Sequence, residues 1–297
     1  LGGEVLFMMN LFYVCIDGMG DRPIDELGGR TPLEAASTPN LDQLARRGRT
    51  GLMYTVQKGV APESDVAVIS ILGYDPFKYH TGRGPIESYG SGLTVNDGDL
   101  ALRCNFATLG EGDAIVDRRA GRDLTNDETS ELSKSVNDLV ELESHPASFE
   151  FKNTISHRAV LVIKSKRRPL SGRITNTDPA YTRLEEIGVA EAKAEMVLKK
   201  CEPMDKTEEA KISAALVNEF VEKSHTVLEE HEVNKRRAAA GKLKANLILT
   251  RDAGHALPRF PSLSEHYGVG FVCLADMPVE RGIARLAGMS LVDLPPP

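Results

Sequence analysis

Four short apolar runs constrain the fold of this chain more than any other feature of its sequence. They cover residues 5–16, 159–163, 245–250 and 269–274. The first run and the last two are almost continuously apolar and have helical patterns beside them, which is typical of parallel strands buried on both faces. The 297-residue sequence therefore predicts an α/β protein with a doubly wound sheet.

The middle of the chain has a different character, with Gly- and Asp-rich turns between polar helical patterns. One helical pattern, over residues 206–240, has apolar residues four apart and stops at Gly241,. We interpret residues 85–241 as an inserted, smaller α+β domain. The flanks, residues 1–84 and 242–297, would together form the core.

Composition excludes several classes of protein. The formal net charge is −7, whereas binding a nucleic-acid backbone requires a basic field. No apolar run approaches the roughly 18 residues of a membrane span. The four cysteines show no C-x-x-C spacing, which favours free thiols in a reducing compartment. We therefore expect a cytoplasmic protein that binds a small molecule, without nucleic acid or membrane as a partner. The sequence does not indicate an oligomeric state.

Ser64 follows a polar turn and starts an apolar helical stretch. At such a position the backbone N–H groups and the positive end of the helix dipole favour an anionic oxygen and a bound phosphate. Ser64 is therefore a candidate nucleophile. The alternative is that Ser64 only caps the helix, with Asp65 in the first turn for the dipole.

Asp17 ends the first apolar run, within a glycine-rich turn. Ligands of open α/β sheets bind outside the carboxyl ends of the strands, so Asp17 is expected where a metal or phosphate ligand belongs. The alternative is a turn residue that bonds its own backbone. A short helix follows in the sequence, with Thr38 as cap, Pro39 at its first position and Gly48 after its end,.

The order of these motifs resembles that in the alkaline phosphatase superfamily, and further motifs resemble the archaeal type of 2,3-bisphosphoglycerate-independent phosphoglycerate mutase. The motifs are Asp17 to Pro23, Thr38 to Gly48, Ala61 to Ala67, Ser70 to Pro76, Gly82 to Pro85, Arg103 to Ala107, Asp117 to Arg122, Ser171-Gly172 with Asp178-Pro179, His231 to Arg237, and Arg281 to Met289. The resemblance implies an alkaline-phosphatase-like core. It also implies an isomerase of glycolysis or gluconeogenesis, which interconverts 3-phosphoglycerate and 2-phosphoglycerate through a phosphoserine.

The resemblance further implies a site for two divalent metal ions and no need for 2,3-bisphosphoglycerate. Ser64 would be the phosphoserine nucleophile and a metal ligand, and Asp17 a carboxylate ligand. Manganese is the metal expected from the family, with magnesium and zinc as alternatives. The family pattern has a second cluster of Asp and His ligands that is absent from this sequence, which ends at Pro297. Either a further segment carries these ligands, or the protein holds half a metal site, in which case we expect weak binding with little or no turnover.

The implied substrate is a small polyanion, and planar guanidinium groups suit its carboxylate and phosphate. The predicted substrate-binding residues are Arg103, Asp117, Arg118, Arg119, Arg122, His157 and Arg251. Arg251 directly follows the apolar run 245–250, at the carboxyl end of a predicted strand. For the three arginines after Asp117 the alternative is a solvated loop, and for His157 it is a packing or hydrogen-bonding role.

Two other functions stay open at this point. The first is a metal-dependent phosphatase or phosphotransferase of the same superfamily, which would release free phosphate where a mutase retains the phosphoryl group. The second is a truncated, non-catalytic remnant that binds phosphoglycerate without turning it over.

Overall fold

The computed structural model describes residues 10–60, 62–184, 187–191 and 193–293. They belong to two compact units, which divide between Met53 and Tyr54. No helix among the described residues is both long and apolar enough to cross a membrane.

The helices of the first unit carry local sequence signals at their ends. Helix α1 is Pro32–Ala35 and α2 is Pro39–Arg47. Thr31 caps α1, because its hydroxyl accepts a hydrogen bond from the Glu34 N–H at 3.2 Å and the Glu34 carboxylate accepts one from the Thr31 N–H at 2.8 Å,. The predicted helix from Pro39 to Arg47, with Gly48 after its end, is confirmed.

The apolar run before Asp17 is not a buried strand where the structure describes it. Residues 5–9 of that run lie outside the described residues. Residues 10–16 have no strand assignment and are exposed, with Leu11 at 91% and Val14 at 77% of full exposure. A strand requires backbone partners in a neighbouring strand, and no described segment pairs with these residues. The predicted buried strand is therefore wrong for residues 10–16.

An antiparallel sheet of five strands forms the centre of the second unit. Its strands are β1 (Leu100–Leu109), β2 (Ile115–Asp117), β3 (Ala147–Asn153), β4 (Arg158–Ser165) and β7 (Leu247–Gly254). Strand β1 pairs with β2, β4 and β7, and β3 pairs with the far side of β4. The β1–β7 register places Arg103 opposite Arg251.

Strand β7 confirms the predicted strand near residues 245–250 but corrects its pairing. All its residues are buried, as the apolar run predicted. Its partner β1 runs antiparallel to it, whereas the sequence suggested parallel neighbours. Within the described ranges, parallel pairing joins only the two-residue strands β8 (Val272–Cys273) and β9 (Ser290–Leu291). The division into a core of residues 1–84 and 242–297 with an insert of 85–241 stays a proposal.

Helices cover the sheet and extend beside it. They are α3 (Ser64–Ile71), α4 (Pro76–Tyr79), α5 (Arg83–Gly90), α6 (Asn126–Leu139), α7 (Glu208–Glu229), α8 (Glu232–Ala239), α9 (Leu263–Tyr267) and α10 (Pro278–Leu286), and a hairpin of β5 (Tyr181–Leu184) and β6 (Ile187–Ala190) completes the described elements. The long helix predicted over 206–240 is two helices, because His231 caps α8 through an acceptor nitrogen 3.2 Å from the Val233 N–H.

Two apolar clusters stabilise the second unit. The larger packs the sheet against α6 and α7 and includes Phe106, Phe151 and Phe220. The smaller joins α3, α5 and α10 through Ile69, Ile86 and Ile283. Helix α3 therefore packs against α5 and α10 through Ile69,.

Candidate functional site

Helix α3 begins at Ser64, which confirms the predicted helix start. The cap position belongs to Glu63, whose backbone is extended with φ −68° and ψ 163°, and Ser64 is the first helical residue. The alternative that Ser64 serves as the cap is therefore wrong. The backbone N–H groups of the first turn of this eight-residue helix lie beside Ser64,.

Glu63 connects the start of α3 to two arginines. Its Oε2 lies 3.2 Å from Arg83 Nη1, and its Oε1 lies 3.0 Å from Arg251 Nη1. Burial raises the pKa of Glu63, and the nearby charge of Asp252 raises it further, although the two arginines act in the opposite direction. Glu63, the residue before Ser64, thus forms two largely buried ion pairs that connect the start of α3 to α5 and β7.

Glu87 lies between two further guanidinium groups. Its side chain is buried, with Oε2 2.9 Å from Arg83 Nε and 3.4 Å from Arg103 Nε. Burial alone would raise the pKa of Glu87, but the charges of Arg103 and Arg83 outweigh it and lower that pKa. The predicted substrate residue Arg103 is therefore held in place by a carboxylate that sequence reasoning missed.

Asp65 does more than complement the helix dipole. Its Oδ2 lies 2.6 Å from His80 Nε2, and both side chains are buried. Burial would raise the pKa of Asp65, but the hydrogen bond and charge of His80, together with the charge of Arg83, lower it to about 2. Asp65 therefore stays ionised beside Ser64 and joins α3 to the segment before α5.

Arg251 lies over the ring of Tyr181, with Cζ 3.6 Å from the ring centroid,. The next residue, Asp252, is buried and has φ +56°, a left-handed conformation that residues other than glycine rarely adopt,. Its Oδ2 lies 3.4 Å from Arg251 Nη1, but neither carboxylate oxygen has a hydrogen-bond partner in the described part of the chain. A Cβ on Gly188 of β6 would lie 2.7 Å from Oδ1. Strained, unsatisfied buried groups of this kind mark functional sites more often than ordinary cores.

The arginine-rich segment after β2 has an unusual backbone. Ala120, Gly121 and Arg122 have φ values of +46°, +78° and +58°. Asp117 Oδ1 accepts a hydrogen bond from the Arg119 N–H at 2.6 Å. The segment is therefore an ordered turn in which Gly121 and Arg122 are exposed, and its substrate-binding role stays a prediction.

Arg118, the remaining predicted arginine, has a carboxylate partner. Its Nε donates to Asp178 Oδ1 at 2.7 Å, and its Nη2 contacts the other oxygen of the same carboxylate. Its guanidinium also lies 5.1 Å from the ring centroid of Tyr181, next to Arg251. The structure thus brings Arg118 and Arg251 to one aromatic ring.

His157 lies near several predicted substrate residues. Burial, together with the charges of Arg158, Arg122 and Arg103, lowers the pKa of His157 to about 4, and the charge of Asp117 opposes this shift. The imidazole is therefore neutral at pH 7. Such mutual electrostatic influence requires that these side chains occupy one neighbourhood.

The structure describes Asp17 in an exposed turn of the first unit, followed by Gly18 with φ +75°. Across residues 10–293, apart from the gaps given above, no group of three His, Cys, Asp or Glu side chains could hold a metal ion. The described side chains alone do not fit a two-metal site. The ligand roles of Asp17 and Ser64 stay predictions.

Sequence reasoning missed Glu63, Glu87 and Asp252, although two of them adjoin predicted residues in the chain. An acidic residue next to Ser64 and another next to Arg251 were the available signals. Their significance depends on the packing of α3, α5 and β7, which no local pattern indicates.

Comparisons with known proteins agree with this architecture. Residues 45–234 match the family model described as 2,3-bisphosphoglycerate-independent phosphoglycerate mutase. Curated relatives of that name include one from Aeropyrum pernix, 45% identical over 284 residues, and one from Methanosphaera stadtmanae, 42% identical over 288 residues. These alignments cover 95% and 97% of this chain, and the chain spans 66% of the length of each relative.

Two solved structures are also similar. A cofactor-independent phosphoglycerate mutase from Thermoplasma acidophilum has a TM-score of 0.54 at 37% identity, covering 94% of this chain and 68% of its own. A protein from Pyrococcus horikoshii has a TM-score of 0.63 at 31% identity, covering 93% and 59%. These neighbours identify a mixed α/β protein of alkaline-phosphatase-like fold. The chain belongs to the 2,3-bisphosphoglycerate-independent phosphoglycerate mutase family.

Proposed function

We propose that this chain provides the phosphoserine and substrate-binding part of a mutase that interconverts 3-phosphoglycerate and 2-phosphoglycerate in glycolysis or gluconeogenesis. The observation that carries the proposal is the contact of Glu63 with both Arg83 and Arg251. It ties the helix that begins at Ser64 to buried guanidinium groups suited to a phosphate. The name of the family supports the same reaction.

The reaction requires two phosphoryl transfers. In the first, Ser64 Oγ forms a bond to phosphorus, the bond from phosphorus to the glycerate oxygen breaks, and the serine proton ends on that oxygen. In the second, the neighbouring glycerate hydroxyl attacks the phosphoserine, Ser64 Oγ leaves, and the hydroxyl proton returns to the serine. No co-reactant is consumed, because only the position of the phosphoryl group changes.

The arginine groups provide the charge that such transfers need. Arg251 and Arg103, opposite each other on β7 and β1, would face a developing phosphoryl charge, and Arg122 would bind the carboxylate,. Neutral His157 would hydrogen-bond a glycerate oxygen without adding a charge. A mutase must retain glycerate between the two transfers, so that water does not reach and hydrolyse the phosphoserine. A phosphatase would instead release free phosphate.

Two divalent ions, with manganese preferred over magnesium or zinc, stay part of the proposal, and Asp17 and Ser64 would each supply an oxygen ligand. The described residues contain no group of three His, Cys, Asp or Glu side chains that could hold a metal ion. A second candidate function is a fragment that binds phosphoglycerate without turnover. A cytoplasmic location stays a prediction from the cysteine pattern.

An enolase-coupled assay with Mn²⁺ tests the proposal. The chain should convert 3-phosphoglycerate to 2-phosphoglycerate, and Ser64→Ala should reduce turnover at least about 1,000-fold because the nucleophile is lost. Ser148→Ala, at an exposed position on β3, is the matched control and should retain full activity. Full turnover by Ser64→Ala would overturn the mechanism, and substrate binding without any turnover would support the second candidate.

A further inference from the structure

A cavity of about 400 Å³ opens beside the charged cluster of the second unit. Its described lining comes from two segments, one from Thr175 to Arg183 and the other from Lys199 to Met204. The segments are held together by backbone hydrogen bonds, among them Thr175 N–H to Glu202 O at 2.8 Å and Lys199 N–H to Thr177 O at 3.3 Å. The cavity is therefore part of the fold and not a gap between loose loops.

Positive charge dominates the described lining of this cavity. Lys199, Lys200 and Arg183 are cationic, and Glu202 is the single acid among the lining residues described. Within the described ranges, the ammonium groups of Lys199 and Lys200 form no hydrogen bond or ion pair, with Glu202 or with another residue. Two ammonium groups without carboxylate partners are thus available at one concave surface.

Neutral hydrogen-bonding groups complete the lining. Thr175 and Thr182 contribute hydroxyl groups, and Asn176 contributes an amide. Hydroxyl groups beside ammonium groups are a combination that suits a phosphate, since each hydroxyl can donate to one oxygen while the cations neutralise its charge.

The cavity shares two residues with the neighbourhood of Arg251. The ring of Tyr181 lies 3.6 Å from Arg251 Cζ, and the Asn176 Oδ1 accepts a hydrogen bond from the Asp252 N–H at 3.1 Å. Both residues also line the cavity. An anion in the cavity would therefore lie next to Tyr181 and Asn176, which contact Arg251 and Asp252. Ser64 is not among the described lining residues.

We propose that this cavity is a second anion site, which binds the dianionic phosphate group of a small phosphorylated molecule through Lys199 and Lys200. The site is separate from the proposed chemistry at Ser64, and the two proposals can fail independently.

Residue-level acylation of lysines tests the site directly. The intact chain is treated with the N-hydroxysuccinimide ester of acetic acid, with and without millimolar inorganic phosphate at constant ionic strength, and each lysine is read by peptide mass spectrometry. Phosphate should slow acylation of Lys199 and Lys200 at least about threefold because it covers their ammonium groups. The exposed Lys206, which does not line the cavity, should react at an unchanged rate.

Two comparisons make the test decisive. Unprotected Lys199 and Lys200, or equal protection of Lys206, would overturn the proposal. Glycerate, which carries a carboxylate but no phosphate, should protect weakly, and equal protection by glycerate would contradict the phosphate assignment. The double variant Lys199→Gln/Lys200→Gln should weaken phosphate binding to this cavity about tenfold, whereas Lys206→Gln should not, and both should retain the turnover that reports on Ser64.

Discussion

The pKa of His157 depends on the charged side chains around it. Burial and the charges of Arg158, Arg122 and Arg103 lower the pKa of His157 to about 4. We expect an NMR titration midpoint near pH 4, and a higher midpoint with inorganic phosphate, because a bound anion offsets the arginine charges. A midpoint that phosphate leaves unchanged would contradict anion binding beside His157.

The same lowered pKa makes folding sensitive to acid. The unfolded chain binds a proton at His157 near its ordinary pKa of about 6.5, whereas the folded chain does so only near pH 4. The stability contributed by the neutral imidazole is therefore complete above pH 6.5 and is lost as the pH falls toward 4. Relative to His157→Gln, the wild-type chain should lose unfolding free energy across that interval.

Asp252 combines a left-handed backbone conformation, with φ +56°, and a buried carboxylate. Its neighbourhood is densely charged: the carboxylates of Glu63, Asp65, Glu87 and Asp252 face the guanidinium groups of Arg83, Arg103 and Arg251. Asp252→Gly removes the strain and a buried carboxylate that accepts no hydrogen bond in the described part of the chain. We expect the free energy of unfolding to rise by about 1 kcal/mol, because glycine adopts this φ without strain. The greater flexibility of glycine in the unfolded chain offsets part of this gain.

Asp252→Ala separates the two causes, because it removes the same charge but keeps a side chain at a positive φ. Chemical denaturation of both variants should rank Gly above Ala in stability. If both variants were less stable than the wild-type chain, the carboxylate of Asp252 would contribute more through Arg251 than its strain costs.

Helices α5 and α10 pack so closely that two glycines are required at their crossing. A Cβ on Gly90 would lie 1.7 Å from the Pro278 carbonyl oxygen, and a Cβ on Gly282 would lie 2.2 Å from the Ile86 carbonyl oxygen. Because these obstacles are backbone atoms, no side-chain rotation relieves them. The close crossing brings Ile86 and Ile283 into the same apolar cluster as Ile69 of α3.

Gly282→Ala should therefore lower the free energy of unfolding by about 2 to 3 kcal/mol, measured by urea denaturation, because the two helix axes must separate. Gly270→Ala is the matched control, since no atom lies within 4 Å of its added Cβ and its φ is not in the left-handed region. It should change stability by less than about 0.5 kcal/mol. Equal effects of the two substitutions would contradict a tight crossing.

Across the molecule, the sequence predicted the positions of helices and strands better than it predicted which strands pair with each other. The starts of α2 and α3 were predictable because Pro39 and the polar turn before Ser64 act within a few residues. The strand Leu247–Gly254 was predictable from its apolar run, but its antiparallel pairing with β1 was not, since pairing joins segments far apart in the chain,.

The same distinction applies to the candidate site. Arg103 and Arg251 were recognisable as candidates from residue type and motif, and the register of β1 and β7 then places them opposite each other. The carboxylates that position them, Glu63 and Glu87, come from α3 and α5 segments whose packing no sequence period reveals. The candidate arginines can thus be predicted from the sequence, whereas the carboxylates that pair with them can be identified only from the fold.

Formation of a phosphoserine at residue 64 can be measured by peptide mapping of the chain after brief incubation with Mn²⁺ and 3-phosphoglycerate that carries an isotopically labelled phosphate, followed by an acid quench. We expect a labelled phosphoryl group on Ser64, loss of the label on chase with unlabelled substrate, and no labelled peptide from the Ser64→Ala variant. A phosphoryl group on a different residue would contradict the account. Turnover without any phosphorylated peptide from Ser64 would contradict it equally.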